Sequence, residues 1–430
     1  MRSAQVLPLV VLSLFVVGVA RPVSANTLCV NPGGAGGCFS SISAAVAAAS
    51  PGDTIRVAHG TYTEFVTVSK SLSLIGENQE NTVIEALNKT FGIYVDGHDN
   101  PGLTGVAISG FTVQDANNAG IAVSNASNVT ISDNQVRDND RGLVLGNPNT
   151  CPTISAYPYF FGEGLDCGEG IFFTGVDHSI VADNAVTGNA GGLLITDDSG
   201  PTHDNVITGN TVERNIGGDC GITIPSHSGA GVYQNTVSDN DSSYNSGPGV
   251  GIFAPGPGSK AYANVVIHNT LRGNGLPGVT MHNHAAPGVG GVPPGAPPVM
   301  FNDNVIVGNV ISENSQDFAD AATAGPTGIN IYSLAPMTGT IISQNVIRQE
   351  QLDIVIKIPS VGVPAVQIHL NNFPQNDVGV QNAGTARLDA TQNWWGCSGG
   401  PSANGCATIS GTGVLFNPWL RTPFQSELDR

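Results

Sequence analysis

Apolar residues in this chain come in short runs of β-branched and aliphatic side chains, each cut off by Asn, Gly or Asp. Seven runs align on one pattern: VTISDNQVRDN, SIVADNAVTGN, NVITGNTVERN, GVYQNTVSDN, VVIHNTLRGN, NVIVGNVISEN and TIISQNVI. Their central asparagines are Asn134, Asn184, Asn210, Asn235, Asn269, Asn309 and Asn345, and the tightest spacings are 26 and 25 residues. Self-similarity at such a period marks a solenoid, in which each repeat buries its apolar face on its neighbours. Three short strands and their bends fill that length, so the pattern predicts a parallel β-helix. The wider spacings, from 34 to 50 residues, hold inserted loops or an irregular coil. β-Branched residues beside each Asn suit a strand buried on the coil interior. The Asn suits a bend, because it tolerates the left-handed backbone region and its amide can satisfy the bend's own backbone groups. Stacked coils set each Asn above the last, which predicts a hydrogen-bonded amide ladder without a chemical role.

A little beyond each anchor a second strand opens on Gly plus an aliphatic residue: GIAV from Gly120, GLVL from Gly142, GIFF from Gly170, GLLI from Gly192, GITI from Gly221, GVTM from Gly278 and GINI from Gly328. The Gly is expected to close a turn, and the residues one and three positions on to point inward. The ends differ, as solenoid ends must. SSISAAVAAASPGDTIRVAHGTYTE reads as a short Ala-rich helix, a Pro-Gly stop and a first strand, so the helix would cap the core. At the other end, ATQNWWGCSGGPSANGC and VLFNPWL supply Trp394, Trp395 and Trp419, which are expected to close the bottom.

The PGDTIRVAHGTYTE opening, the NxVxxN ladder and the NWWG–GP ending together resemble the pectin-lyase-like superfamily over essentially the whole mature chain. The resemblance implies an all-β fold, a right-handed parallel β-helix solenoid with a short N-terminal capping helix. It leaves the activity open, since that superfamily holds lyases, hydrolases, epimerases, phage tailspikes, adhesins and a copper-delivery accessory protein.

Composition narrows compartment and partners. Arg2, the apolar run 6–19 and the small residues Val23, Ser24 and Ala25 read as a signal peptide over 1–25, sending the chain to the extracellular space or periplasm. The expected organisation is then an N-terminal cap and first coils over 26–75, repeats over 76–385 and a C-terminal cap over 386–430. With 33 Asp plus Glu against 15 Lys plus Arg, the chain is a poor partner for nucleic acid. No stretch beyond the signal segment is apolar enough to insert in a membrane. A polyanionic glycan would need a local basic pocket or a bridging cation such as Ca²⁺; no other cofactor is implied. Six of the seven cysteines form close pairs, Cys29 with Cys38, Cys151 with Cys167 and Cys397 with Cys406, expected as disulfides in an exported protein. Cys220 is expected to be a buried small residue.

Coils stacked in register align residues at equal offsets from the Gly. The sixth residue gives the file Asp198, His227, Pro255, His284; the fifth gives Asp197, Ser226, Ala254, Asn283; the fourth gives Thr196, Pro225, Phe253, His282. Neighbouring coils lie about 4.8 Å apart. Asp197, Asp198, His227, His282 and His284 therefore converge on one rim, bordered by Asp177 with His178 and by His203 with Asp204. Glu169, Asp219, Lys260 and Phe253 are expected to hold substrate. Two chemistries suit such a rim. Paired carboxylates can cleave a glycosidic bond, with Asp198 as acid, Asp177 and Asp197 as bases and His227 tuning one of them. That order is similar to the polygalacturonase-type hydrolases of the superfamily, although their NTD, GHG and RIK motifs are absent here. Alternatively, His227, His282 and His284 with a carboxylate can bind a metal, although none is assigned. β-Elimination needs a cation for the uronate, and only Lys260, Arg214 and Arg272 fall near the rim, so hydrolysis is better supported. Asp96-Gly97-His98-Asp99 resembles the DPHD stretch of alginate epimerases. The Pro/Gly-rich loop 286–299 would wall the cleft beside His284. The expected function is polysaccharide processing, by a hydrolase or a lyase; a non-catalytic glycan-binding solenoid and a copper accessory protein are the alternatives.

Overall fold

The structure, a computed structural model, describes residues 25–144, 150, 155–160, 168–217, 220–289, 291–319, 323–373 and 377–425. Most of the signal segment and Asp219 lie outside the described residues.

Among the described residues, three long parallel sheets of fourteen, twelve and ten strands wrap the chain into a β-helix, and a short fourth sheet pairs Thr202–His203, Val232–Tyr233 and Ala261–Tyr262. Each coil contributes one short strand per long sheet, and each strand pairs in parallel with its counterparts on the coils above and below. Ile121, Ile131 and Val136 of one coil pair with Ile171, Val181 and Val186 of the next, all buried in a single interior core. Seven strands of the twelve-stranded sheet concern the site: β1 (Glu169–Thr174), β2 (Gly191–Thr196), β3 (Ile222–Pro225), β4 (Val250–Phe253), β5 (Val279–Asn283), β6 (Thr327–Ser333) and β7 (Leu352–Lys357).

The amide ladder exists, but among the described residues there are three of them, set by an Asn every fifth residue at three successive bends, as at Asn205, Asn210 and Asn215. The longest runs Asn134, Asn184, Asn210, Asn240, Asn269, Asn309, Asn345, Asn371 and Asn393. In it, each side-chain N–H donates to the next amide oxygen at 2.9–3.1 Å. Asn235 is not part of it. That residue sits in a shorter ladder of Asn205, Asn235, Asn264 and Asn304, while Asn240 fills the place expected for it. A third ladder, Asn139 to Asn314, ends on the carboxylate of Glu350, which accepts from both N–H groups of Asn314 at 3.0 Å. The left-handed backbone does not fall on the asparagines. It falls on the residue before each, such as Asp183, Gly209, Asp239 and His268. The amide's task is to accept the next coil's hydrogen bonds, which needs its side chain rather than its backbone conformation.

The strand-opening glycines also have a different cause from the one expected. A Cβ on Gly120 would stand 2.3 Å from Val136 Cγ1 and 2.7 Å from the ladder amide of Asn139. Glycine is therefore required by close packing against the corner, not by a turn. Gly142 opens no strand of this sheet. The chain leaves the coil there, and β1 resumes the stack directly on Ala119–Ser124.

Both ends are closed. Helix α1 (Ile42–Ala48) buries Ile42, Ala45 and Val46 on the first coil. Its N-terminus is held by Ser41 Oγ and by Glu64, whose carboxylate accepts from Ile42 N–H at 2.7 Å and Ser43 N–H at 2.9 Å. At the bottom Trp395 is fully buried against Phe373 and Trp419 packs on the core edge. Two of the three expected disulfides are present, Cys29 to Cys38 and Cys397 to Cys406, and Cys220 is a buried thiol. The third expected disulfide, Cys151 to Cys167, is not among them, because Cys151 and Cys167 both lie outside the described residues. Cys167 immediately precedes Gly168, where the described chain resumes and enters β1.

Candidate functional site

The outer face of the twelve-stranded sheet changes character along its length. Over its upstream strands it is apolar: Phe91, Tyr94, Ala122, Phe172 and Leu194 are buried under Tyr157, Tyr159 and Phe160 of the insertion that follows Gly142. Asp96 and His98, singled out by the DGHD stretch, are tied into this plug. The Tyr94 hydroxyl donates to Asp96 at 3.0 Å, and His98 stacks on Tyr159 at 4.0 Å.

From β2 onward the register keeps the expected files: Leu193 pairs with Ile222, Ile222 with Val250, Val250 with Val279, Val279 with Ile329, and Ile329 with Ile354. Asp198 and His227 are neighbours, with Nδ1 3.2 Å from Oδ1, and both side chains are largely buried. The Thr196 hydroxyl donates to the same carboxylate at 2.7 Å. Asp197 does not face the rim. Fully buried, it accepts from Ser226 Oγ at 2.8 Å and from the backbone N–H groups of His227, Ser228 and Gly231 at 2.7, 3.0 and 2.7 Å. A carboxylate with four donors is saturated and staples one turn to the next.

Two coils further, His282 lies with Nε2 3.2 Å from the buried carboxylate of Asp317 and 3.3 Å from Asn330 Nδ2. Its ring is 5.6 Å from Phe253 and 5.2 Å from exposed His284. His284 meets Tyr332 edge-on at 5.1 Å, and Lys357 Nζ stands 5.1 Å over the Tyr332 ring. Tyr332 and Lys357 line a pocket of about 360 Å³, whose far wall includes Val289 of the Pro/Gly-rich loop. Tyr332, Lys357 and Asp317 were missed by sequence reasoning. The first two occupy the same fourth-residue file as Phe253 and His282, one and two coils on. Tyr332 follows Gly328 of the GINI start at the same offset as His282, whereas Lys357 carries no such signature because Asp353 stands where the earlier coils have Gly.

The remaining expected residues lie elsewhere. Glu169 is buried at the start of β1, four strands upstream of β5. Lys260 sits at the corner where its backbone N–H donates to Ser226 Oγ at 2.8 Å, off the strand face. Asp177 pairs its backbone with His203, not with Asp198, and its carboxylate takes His178 Nδ1 at 2.7 Å. Nor do His227, His282 and His284 share one ligand sphere. Among the described residues only His178, His203 and Asp204 bring three potential ligand atoms together.

An acidic corner adjoins β7. Burial pushes the Glu350 carboxyl up to about 7, against which its hydrogen bonds from Asn314 work. Asp353 is raised well above the carboxylate range by burial and by Asp377 and Glu350, and neither of its oxygens has a hydrogen-bond partner.

Residues 46–254, just under half of the chain, match the family model of NosD, described as a periplasmic copper-binding protein. No curated protein matches the chain. Among solved structures, the N-terminal fragment of bacteriophage Phi29 gene product 12 is 13% identical with a TM-score of 0.52, over 85% of this chain and 66% of that one. The mannuronan C-5 epimerase AlgE4 A-module of Azotobacter vinelandii is 14% identical with a TM-score of 0.45, over 86% and 91%. An alginate lyase from Paenibacillus sp. is 15% identical with a TM-score of 0.48, over 76% and 97%. At these identities the likeness is one of fold. The chain is a parallel β-helix.

Proposed function

We propose that the protein is exported and cleaves an acidic polysaccharide on the downstream half of the twelve-stranded sheet. The observation that carries this reading is the pocket of about 360 Å³ lined by Tyr332 and Lys357, with His284 lying edge-on to Tyr332. The favoured reaction is β-elimination beside a uronate. Lys357 pairs with the substrate carboxylate and so makes the adjacent C–H more acidic. His284 takes that proton, the C–H electrons form the new C=C bond, and the bond to the glycosidic oxygen breaks. Tyr332 donates the proton that the leaving oxygen needs. Asp317 fixes the His282 ring beside His284, and Phe253 offers an apolar face to a sugar ring. Hydrolysis by Asp177, Asp197 and Asp198 loses support, because Asp197 is saturated and Asp177 is engaged at another corner.

The test is incubation of the mature protein with neutral and uronate-containing polysaccharides, following the ultraviolet absorbance of unsaturated ends. Products from uronate polymers alone are expected. Release of saturated reducing ends from neutral polymers would replace elimination by hydrolysis. Binding without any product would leave a carbohydrate-binding solenoid.

The family-model match favours a second reading, an accessory protein for copper in the periplasm. Metal analysis of protein purified from copper-supplemented cells checks it. Copper that persists near one equivalent in His178→Ala/His203→Ala protein, or that passes from the wild type to a second copper protein, supports that role, and absence of both removes it.

A further inference from the structure

A second cluster lies one corner away from the rim. The dipeptides Asp177-His178 and His203-Asp204 are 26 residues apart, one coil, and a parallel bridge sets Asp177 against His203. His178 is thereby brought level with Asp204. His178 and Asp204 both adopt left-handed backbone, with φ of 50° and 54°. The result is a block of two histidines and two carboxylates with opposite order on adjacent coils.

Each imidazole is held by its own carboxylate. His178 Nδ1 is 2.7 Å from Asp177 Oδ1, and His203 Nδ1 is 2.8 Å from Asp204 Oδ2. On His178 the Asp177 carboxylate fixes the tautomer that leaves Nε2 with its lone pair outward, the arrangement that orients metal-binding histidines. His203 Nδ1 and Asp204 Oδ2, 2.8 Å apart, instead take an ion between them in place of their shared proton. The His203 ring is further fixed by stacking on Tyr233 at 4.8 Å and 11°, and Tyr233 stacks in turn on Tyr262 at 4.9 Å. One ligand atom from each of His178, His203 and Asp204 lies within 4.8 Å of the others. Bonds of about 2 Å to zinc need ligand atoms roughly 3–3.5 Å apart. The side chains of His178 and Asp204 are 59% and 40% exposed, so rotamer changes alone can close that difference. A concavity of about 300 Å³ lined by Asp177, His203 and Asn125 adjoins the cluster and gives water and small anions access.

The geometry points to a binding site for one divalent transition-metal ion of the zinc or copper class, with His178, His203 and Asp204 as ligands and Asp177 as the positioning residue. Two imidazoles and one carboxylate select such ions over Mg²⁺ or Ca²⁺, which favour all-oxygen shells. Three ligands leave coordination positions for water or an exchanging partner. The site stands on its own geometry, whichever reading of the rim holds.

Mature protein stripped with chelator and titrated calorimetrically with Zn²⁺, then with Cu²⁺, tests the site. One equivalent is expected for the wild type and for His59→Ala, an exposed histidine far from the cluster. His178→Ala/His203→Ala should abolish that equivalent with an unchanged circular dichroism spectrum. Asp177→Asn should retain it with affinity about 10-fold weaker. No binding by the wild type, or an equivalent that persists in the double variant, would overturn the assignment.

Discussion

The two halves of the twelve-stranded sheet share strand length, register and interior core, yet present opposite surfaces. Upstream, the outward positions are Phe91, Tyr94, Phe172 and Leu194, sealed by the aromatic plug of Tyr157, Tyr159 and Phe160. Downstream, the same face carries Phe253, His282, Tyr332 and Lys357 beside an open pocket. Because interior residues set the coil, outward positions are released to vary. The solenoid can therefore spend one stretch on stability and the next on chemistry. One corner follows the same division. The third ladder starts upstream on the neutral amide of Asn139 and ends downstream on Glu350 beside the unpartnered carboxyl of Asp353, whereas the longest ladder ends on the neutral amide of Asn393.

Phe160→Ala should break the upstream half most severely. The ring is fully buried among Phe91, Tyr94 and Phe172, so its loss costs about 3–5 kcal/mol, read as a lower denaturant midpoint. Activity measured under conditions where the variant is folded should survive. If activity falls with the plug, the two halves are not separable.

Glu350→Gln sharpens the contrast between corners. The folded carboxyl is raised to about 7 from 4.5, so the stability it contributes is fully present below pH 4.5 and is lost as pH rises through 7. Gln keeps the acceptor for Asn314 without the charge. The variant should match wild type near pH 4 and exceed it by on the order of 2–3 kcal/mol above pH 7. Urea melts across that range report the difference, and parallel curves at both ends would refute the assignment. Smallest of all, Lys357→Ala should change stability by less than about 1 kcal/mol in the same melts, because the side chain is only partly buried.

Much of this was legible in the sequence, because a repeat states its own register. The Asn period gave the coil, and the Gly-aliphatic starts gave the files that bring Asp198 to His227 and His282 near His284. The misreadings have local physical causes. Three ladders five residues apart share nearly one motif, so Asn235 and Asn240 were interchangeable by pattern. Gly142 carries the strand signature but precedes an insertion, which a short apolar run cannot announce. Asp353 in a glycine file hid the coil that supplies Lys357. Asp197 and Asp198 are adjacent in sequence, but one turns inward to four donors and the other outward to His227, a difference only the turn geometry makes. The pairing of Asp177-His178 with His203-Asp204 was visible as a 26-residue spacing, though nothing in composition singled it out.

On the proposed function, the downstream half of the face cleaves a uronate polymer through Lys357 and His284. Steady-state kinetics of Lys357→Glu and His284→Ala on the polymer that the wild type degrades test it most directly. The prediction is a loss in kcat/KM of about 100-fold or more for each, with melting temperatures close to wild type. Wild-type kinetics in both variants would contradict it.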